Sequence, residues 1–218
     1  MKTYKREFIQ FAFEKEALLL GEFTLKSGRI SPYFFNAGRF KTGKDIEKLG
    51  QFYASALQDF ILPQNYDLLF GAAYKGIPLV TATAIALATT YQQDTPFCFN
   101  RKIPKQYGDG GSVVGESMCA KRILLIDDVV TAGTTIQETA GLIQKEQGIF
   151  IGVLIALDRK ERGKTHCSAI QEAEKKYAIR IASIVDIDDL VEYLATTQQT
   201  EHSEHAERIL DYRNQYGI

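Results

Sequence analysis

The sequence predicts an α/β protein with a doubly wound, mostly parallel central sheet flanked by helices and with a small N-terminal hood subdomain. Short apolar runs without charge on either face, such as Ile123–Ile126, are typical of strands buried on both sides of a parallel sheet. These runs alternate with longer segments whose apolar residues recur at helical spacing, which indicates helices packed on the sheet. Small and charged residues follow the ends of the runs, where open α/β sheets bind ligands.

The composition is that of one globular domain that spans residues 1–218. Of the residues 45% are hydrophobic, enough for a full core, and the net charge of -1 leaves no basic excess that would indicate nucleic-acid binding. Cys98, Cys119 and Cys167 show no Cys-x-x-Cys spacing and are expected to be reduced thiols. The charged N-terminus lacks an apolar signal core, and Leu79–Tyr91 is too short and too rich in threonine to span a bilayer. We therefore expect a soluble, cytoplasmic protein without a membrane or nucleic-acid partner.

The hood, about residues 1–40, is predicted to contain a helix and a β-hairpin. Apolar residues at helical intervals among lysines and glutamates predict an amphipathic helix over Tyr4–Leu20, which Gly21 ends. Glu22–Lys26 alternates polar and apolar residues and Tyr33–Asn36 is strand-like, so these two segments are expected to pair outside the main sheet.

Two adjacent phenylalanines, Phe34 and Phe35, lie in this hairpin. Because side chains alternate across a strand, at least one of them is expected in the hairpin core. A flat ring beside a ligand site could instead cover a planar base.

An anion loop follows the first strand of the main sheet. Lys44–Phe60 predicts a helix, and Asp67–Phe70 predicts a short strand that opens into Gly71–Pro78 and then into a helix rich in alanine and threonine. Small residues and a lysine at the carboxyl edge of a strand suit an anionic ligand. Gly71 and Gly76 could instead be ordinary turn residues.

The next predicted strand, Phe97–Arg101, leads into a segment of about residues 101–115 that is rich in glycine and cations. Its first part, Arg101–Gly111, has no periodicity, which is typical of a solvated, mobile loop. The alternative is a lid that closes positive charge over a ligand and excludes water.

An acidic pair and a hydroxyl-rich loop follow the central strand. Asp127 and Asp128 end Ile123–Ile126, and Thr131–Thr135 and a predicted helix over Ile136–Gln147 come next. Small residues, free N–H groups at a helix start and threonine hydroxyls suit a phosphate dianion. The two carboxylates would repel that phosphate, so we expect them to face a diol or a metal that carries a diphosphate. Together these groups describe a phosphorylated ribose activated at C1.

The alternative for this segment is an ordinary strand, loop and helix with threonine caps. Other phosphate-binding loops fit poorly. The chain has no complete Gly-x-x-x-x-Gly-Lys-Ser/Thr motif, and no Gly-x-Gly-x-x-Gly follows a predicted strand.

A charged segment, Asp158–Gly163, follows the predicted strand Ile149–Leu157. Arg159 would lie at the carboxyl edge of the sheet, where its planar fork suits a carboxylate. The alternative is an exposed ion pair with Asp158 or Glu161.

The rest of the chain predicts a helix over Ser168–Tyr177, a strand over Ile179–Val185 and a helix over Asp186–Ala195. A surface helix is predicted over Glu204–Tyr216. His202 and His205 lie one helical turn apart in this polar tail. We do not expect a metal site there, because no cluster of carboxylate, histidine and cysteine residues completes it.

The segment Asp127–Thr135 resembles the signature of the phosphoribosyltransferase family, which binds 5-phosphoribosyl 1-diphosphate. Thr24–Asn36 resembles in particular the hood of the orotate phosphoribosyltransferases, and the resemblance runs along nearly the whole chain. It implies transfer of the 5-phosphoribosyl group to N1 of orotate, giving orotidine 5'-phosphate and pyrophosphate in UMP biosynthesis. It also implies Mg²⁺ held mainly by the diphosphate and water rather than by protein ligands, and a homodimer that shares its lid residues across the interface.

The resemblance also implies the roles of individual residues. Asp127, Asp128, Lys102 and Lys105 are the implied catalytic residues. The implied ribose-diphosphate site consists of Lys26, Tyr74, Lys75, Arg101, Lys102, Lys105, Tyr107, Asp127, Asp128, Val129, Val130, Thr131, Ala132, Gly133, Thr134 and Thr135. Orotate is expected to contact Phe34, Phe35, Thr131 and Arg159. Family members commonly have histidine where this chain has Tyr107, so a histidine-type contact to pyrophosphate is not implied, although a phenol can donate one hydrogen bond.

Two other functions fit parts of the sequence. A regulatory protein could keep this fold as a sensor and bind nucleic acid, but the near-zero net charge and the lid lysines argue against it. A purine phosphoribosyltransferase would have no reason for the hood phenylalanines or for an arginine placed to bind a carboxylate.

Overall fold

The computed structural model describes residues 1–60, 66–105, 111–130, 133–163, 166–196 and 200–218. The helices are α1 (Thr3–Glu14), α2 (Gly43–Phe60), α3 (Gly76–Tyr91), α4 (Thr134–Lys145), α5 (Ala169–Tyr177), α6 (Ile187–Thr196) and α7 (Thr200–Tyr216). The strands are β1 (Leu18–Thr24), β2 (Ile30–Phe35), β3 (Leu68–Gly71), β4 (Phe97–Lys105), β5 (Gly111–Gly115), β6 (Arg122–Ile126), β7 (Ile149–Asp158) and β8 (Arg180–Asp186). A 3₁₀ turn covers Ala37–Arg39.

The main sheet has six strands in the order β5-β4-β3-β6-β7-β8, and β5 is antiparallel to β4 while the other neighbours are parallel. The chain enters at β3, adds β4 on one side and later adds β6 on the other. The loops after β3 and β6 therefore diverge from a topological switch point, where such sheets bind ligands. The register aligns Gly71 with Ile126, so both loops start at the same level. The predicted doubly wound, mostly parallel sheet and the separate hairpin are confirmed.

Strand β6 lies at the centre of two hydrophobic layers. Its four apolar residues are fully buried and alternate between faces: Leu124 and Ile126 join the core of α1, α2, α3, α6, α7 and the hairpin, while Ile123 and Leu125 join the core of α4 and α5. Burial on both faces explains the uncharged run seen in the sequence. No helix in the described residues is long and apolar enough to cross a membrane.

The predicted extent of the first helix is wrong, because α1 ends at Glu14 and residues 18–20 begin strand β1. Leu18, Leu19 and Leu20 pair with Phe35, Phe34 and Tyr33 of β2 in an antiparallel hairpin. Glu16, with φ of +53°, has the left-handed backbone that ends the helix. Three consecutive leucines satisfy both a helical stripe and a strand, and pairing with β2 decides between them.

The prediction of an irregular segment after Arg101 is also wrong for the described residues. Strand β4 continues to Lys105, and β5 returns along it with Lys105 opposite Gly111 and Asn100 opposite Val113. Strand β5 lies at the edge of the sheet, so this hairpin extension needs no apolar pattern on both faces. The tip of the predicted lid, residues 106–110, lies outside the described residues.

Candidate active site

The acidic pair lies at the carboxyl end of β6, in the crevice of the switch point. Hydrogen bonds hold it in place: the Tyr53 hydroxyl donates to the Asp127 carbonyl oxygen at 2.7 Å, and the Asp128 N–H donates to Asp127 Oδ1 at 2.9 Å. The Val129 N–H donates to Asp128 Oδ1 at 2.9 Å. Asp127 and Asp128 are only 8% and 7% exposed. The two carboxylates are thus oriented by local hydrogen bonds before any ligand binds.

The loop after β3 contributes a cation to the same crevice. Lys75 Nζ donates to Asp128 Oδ2 at 2.7 Å, while 59% of the lysine side chain remains exposed. A Cβ atom on Gly71 would lie 2.2 Å from the Gly76 carbonyl oxygen, so glycine is required for the close approach within this loop. The Ala73–Tyr74 peptide bond is cis, and the Tyr74 side chain is exposed. An ion pair between residues that are 53 positions apart in sequence therefore joins the two loops.

The Asp127 carboxyl group has a raised pKa. Burial and the negative charge of Asp128 raise the pKa of Asp127 to about 7, from an ordinary value of 3.8. A carboxyl group that gives up its proton near neutrality is suited to a site where a ligand brings compensating hydrogen-bond donors or positive charge.

We expect Asp127→Asn to raise the free energy of unfolding of the ligand-free protein, with a gain that grows from about pH 4 to about pH 7. Because the folded-state pKa of Asp127 is raised, wild-type stability is favoured at low pH and is lost as the pH rises through this window. Asparagine keeps an oxygen for the Asp128 N–H but has no charge to desolvate. Urea unfolding at several pH values should show a difference on the order of 2–4 kcal/mol above pH 7 and a much smaller one near pH 4. A gain that is equal at every pH would contradict the raised pKa, since all other titrating groups are common to both proteins.

The phosphate loop leads directly into helix α4. Gly133, with φ of +72°, precedes the helix, and Thr134 and Thr135 form its first turn. This left-handed φ is one that glycine adopts without strain. Thr131 and Ala132, which the sequence places in the same loop, lie outside the described residues. The N–H groups of the first helical turn have no partner within the helix, which makes a helix start suited to binding an anion.

A cleft of about 170 Å³ joins this loop to the lid and to the loop after β3. Its lining includes Ala72, Ala73, Asn100, Arg101, Lys102 and Thr135. Asn100 Oδ1 accepts from the Ala73 N–H at 2.7 Å and so fixes the loop against β4. The structure therefore places Arg101 and Lys102 in the same cleft as Thr135 at the start of α4. The Lys105 side chain and Tyr107 lie outside the described residues.

The two hood phenylalanines point to opposite faces of β2. Phe35 is 8% exposed and packs near Phe8 and Phe40, with ring centroids 6.3 and 6.5 Å away. Phe34 is 37% exposed and stacks on Phe23 at 5.5 Å. The expectation that at least one ring belongs to the core is confirmed, and of the pair it is Phe34 whose ring offers surface to a ligand. Lys26 is exposed in the turn of the same hairpin.

Arg159 lies at the carboxyl end of β7 and faces the hood. Its guanidinium group is 4.2 Å from the Tyr33 ring centroid, Nη2 donates to Ser31 Oγ at 2.9 Å, and Nε donates to Glu161 Oε1 at 2.6 Å. The ion pair with Glu161 that the sequence left open is thus present, but the side chain is only 14% exposed and the pair is not a solvated one. Sequence reasoning missed Ser31 and Tyr33, because only the fold brings the hood to β7.

The described residues contain no group of three or more His, Cys, Asp or Glu side chains that could hold a metal ion. The side chain of His202 lies outside the described residues, and that of His205 is half-buried on α7.

Comparison with known proteins identifies the class. The sequence profile of the phosphoribosyl transferase domain matches residues 37–188, so the chain belongs to the phosphoribosyltransferase family. An orotate phosphoribosyltransferase of Vibrio cholerae is 54% identical over 218 residues, covering 100% of both chains. The chain belongs with the orotate phosphoribosyltransferases within that family.

Solved structures agree with this assignment. A crystal structure of orotate phosphoribosyltransferase from Francisella tularensis is 38% identical in sequence and superposes with a TM-score of 0.87. The superposition covers 97% of this chain and 100% of that one. The Mycobacterium tuberculosis orotate phosphoribosyltransferase in complex with 5-phospho-alpha-D-ribosyl 1-diphosphate is 19% identical, with a TM-score of 0.60 over 85% of this chain and 98% of that one. The latter similarity shows the fold alone.

Proposed function

We propose that the crevice between β3 and β6 is the site where this chain transfers the 5-phosphoribosyl group from 5-phosphoribosyl 1-diphosphate to N1 of orotate. The products are orotidine 5'-phosphate and pyrophosphate, and the reaction belongs to the synthesis of UMP. The observation that best supports this site is the meeting of Asp128 with Lys75 beside the phosphate loop, at the switch point of the sheet.

The ribose diphosphate is bound from three directions. Thr131–Thr135 and the first turn of α4 hold the 5'-phosphate, remote from the bond that breaks. Asp127 and Asp128 accept hydrogen bonds from the ribose hydroxyls, and their negative charge favours the cationic sugar as the C1 to diphosphate bond breaks. Lys75 and Tyr74 lie on the diphosphate side.

The residues fit a divalent cation that is held mainly by the substrate. Asp128 Oδ2 and Oδ1 already accept from Lys75 and Val129, so the acidic pair offers few open oxygens. Mg²⁺ commonly keeps several waters and binds substrate phosphates. When bound, it supplies neutralising charge to the departing diphosphate.

The lid places further positive charge over the pyrophosphate. Arg101 and Lys102 lie on β4 beside the cleft, and Lys105 and Tyr107 follow toward the lid tip. We assign these groups to the leaving pyrophosphate, with the lid of one subunit completing the site of its partner in a homodimer. Cys98, Cys119 and Cys167 form no disulfide bond in the part of the chain that the structure describes, which is compatible with the proposed cytoplasmic location.

Orotate is bound between the hood and Arg159. The guanidinium group offers N–H donors to the carboxylate of orotate, while Phe34 and Thr131 flank the planar ring. The test of the function is a spectrophotometric assay of orotate consumption with the ribose diphosphate and Mg²⁺, in which adenine and uracil serve as control bases. Loss of orotate absorbance that requires the ribose diphosphate supports the function, and turnover of adenine alone would contradict it.

We expect Arg159→Ala to raise the KM for orotate by about 10- to 100-fold and to leave the KM for the ribose diphosphate nearly unchanged. The variant removes a charge-assisted hydrogen bond to the base, which contributes roughly 1.5–3 kcal/mol. Steady-state kinetics with each substrate varied in turn measures both constants. An equal increase in both would show that Arg159 acts through the fold and not through the base.

A further inference from the structure

Glu161 connects three parts of the chain that meet at the base end of the site. Its Oε1 accepts from Arg159 Nε at 2.6 Å and from the Tyr212 hydroxyl of α7 at 3.0 Å. Its Oε2 accepts from Arg29 Nη1 of the hood at 3.3 Å. The carboxylate is largely buried, so these contacts are poorly screened by solvent. One side chain therefore couples the hood, the strand end that presents Arg159 and the C-terminal helix.

The surroundings fix Glu161 in turn. Arg29 Nη2 donates to the Arg162 carbonyl oxygen at 2.9 Å, and the Arg29 guanidinium lies 4.9 Å from the Tyr216 ring centroid. The Ile218 N–H donates to the Lys160 carbonyl oxygen at 3.1 Å, and Gly217 forms a β-bridge with Glu161. The two residues that follow α7 thus contact the backbone at and before the glutamate.

The contacts of Arg159 leave one edge of its guanidinium group for a ligand. The hydrogen bonds to Glu161 and Ser31 use Nε and Nη2 and do not involve Nη1. The Tyr212 hydroxyl also interacts with the guanidinium group. Arg29, Arg159 and Glu161 together have a net charge of +1, which matches a base with one carboxylate. A buried guanidinium group without a counter-ion would be costly, and it would leave its place on Tyr33 to reach water.

We propose that Glu161 is the positioning residue for Arg159 and thereby a determinant of specificity for a carboxylate-bearing base. Supported by Tyr212, it holds the guanidinium group over the Tyr33 ring and leaves Nη1 for the substrate. This inference rests on the proposed role of Arg159 in binding orotate.

The test compares two variants that weaken the contacts of Glu161 with its neighbours by different amounts. Glu161→Gln keeps the shape but removes the charge, and it is expected to raise the KM for orotate by about 10-fold with little change in the KM for the ribose diphosphate. Tyr212→Phe removes one hydroxyl from Glu161 Oε1 and keeps the ring, and it is expected to raise the KM for orotate by about 3-fold. Should Glu161→Gln fail to fold, the Tyr212→Phe result decides the proposal.

Glu22→Gln is the matched control. Glu22 is also a hood-region carboxylate paired with α7, through Arg208 Nη2 at 2.9 Å, but this pair is exposed and has no contact with Arg159. The KM of this variant for orotate should equal that of the wild type, because an exposed ion pair contributes little to the stability of the fold. An increase in this control as large as in Glu161→Gln would overturn the proposal in favour of a general attachment of α7 to the hood.

A double-mutant cycle separates positioning from structure. In an Arg159→Ala background, Glu161→Gln should have no further effect on the KM for orotate, whereas a structural effect would persist. If Arg159→Ala itself leaves the KM for orotate unchanged, the proposed role of Arg159 fails. If it raises the KM while Glu161→Gln and Tyr212→Phe do not, the positioning role alone fails. Tighter orotate binding in Glu161→Gln would also overturn the proposal, because Glu161 would then compete with the substrate.

Discussion

Replacing Asp128 by asparagine is expected to lower kcat by about 100-fold or more while the fold stays intact. Asparagine fits the space of the buried carboxylate and keeps an oxygen for the Val129 N–H. What it loses is the negative charge that favours the cationic sugar in the transition state. Lys75 loses its partner at 2.7 Å but is exposed enough for water to solvate its ammonium group.

Steady-state turnover and thermal unfolding of the same preparation would measure this effect. Asp67→Asn is a suitable control, because Asp67 is ion-paired with Arg122 at 2.8 Å, at the opposite ends of β3 and β6. It removes a paired carboxylate from the same two strands, far from the crevice, and should leave kcat near the wild-type value. Near-wild-type turnover of Asp128→Asn would exclude a catalytic charge at this position.

The lid should give a second large effect, and one that reports on the dimer. Lys105→Ala is expected to lower kcat by about 10²- to 10³-fold, the usual loss when one preorganised charge is removed from a developing anion. Lys105 is the last residue of β4 and pairs with Gly111, the first residue of β5. In the proposed dimer this extension reaches the site of the partner subunit.

Mixing Lys105→Ala with Asp128→Asn under subunit exchange tests that arrangement. If the lid acts on the partner's site, each hybrid dimer has one site with both defects and one with neither. Random exchange of equal amounts makes about half the dimers hybrids, so activity should recover to roughly a quarter of the wild-type value. If each lid serves its own subunit, every site keeps one defect. Absence of recovery, with exchange demonstrated by mass-tagged subunits, would reject the shared site.

The phosphate end of the site could be predicted from sequence because it is local. Strand β6, the acidic pair and the start of α4 lie within one short segment, and the uncharged run Ile123–Ile126 follows from burial on both faces. The nearness of the loops after β3 and β6 also follows from the rule that parallel strands end at one edge, whereas the ion pair between Lys75 and Asp128 was not predicted.

The part of the site proposed to bind the base could not be predicted in the same detail, because its contacts join residues that are far apart in the sequence. Arg159 was identified by its place after a strand, but Tyr33 and Tyr212 lie 126 residues before it and 53 after it in the chain. The same reason explains the boundary between α1 and β1, where pairing with β2 overrides helical spacing. The cation-rich end of β4 gave no strand signal, because an extension at the edge of the sheet needs no apolar face.

The residues that contact Glu161 and Arg159 from the hood and from α7 lie outside the part of the chain that matches the family profile. The profile shared by phosphoribosyltransferases covers residues 37–188 and includes the acidic pair and the phosphate loop, whereas Arg29, Ser31, Tyr33 and Tyr212 fall outside it. The groups that surround Arg159 thus come from the two ends of the chain. The proposed selection of the base therefore depends on segments that meet only when both ends of the chain have packed against the end of β7, whereas the acidic pair and the start of α4 lie within one continuous stretch of the chain.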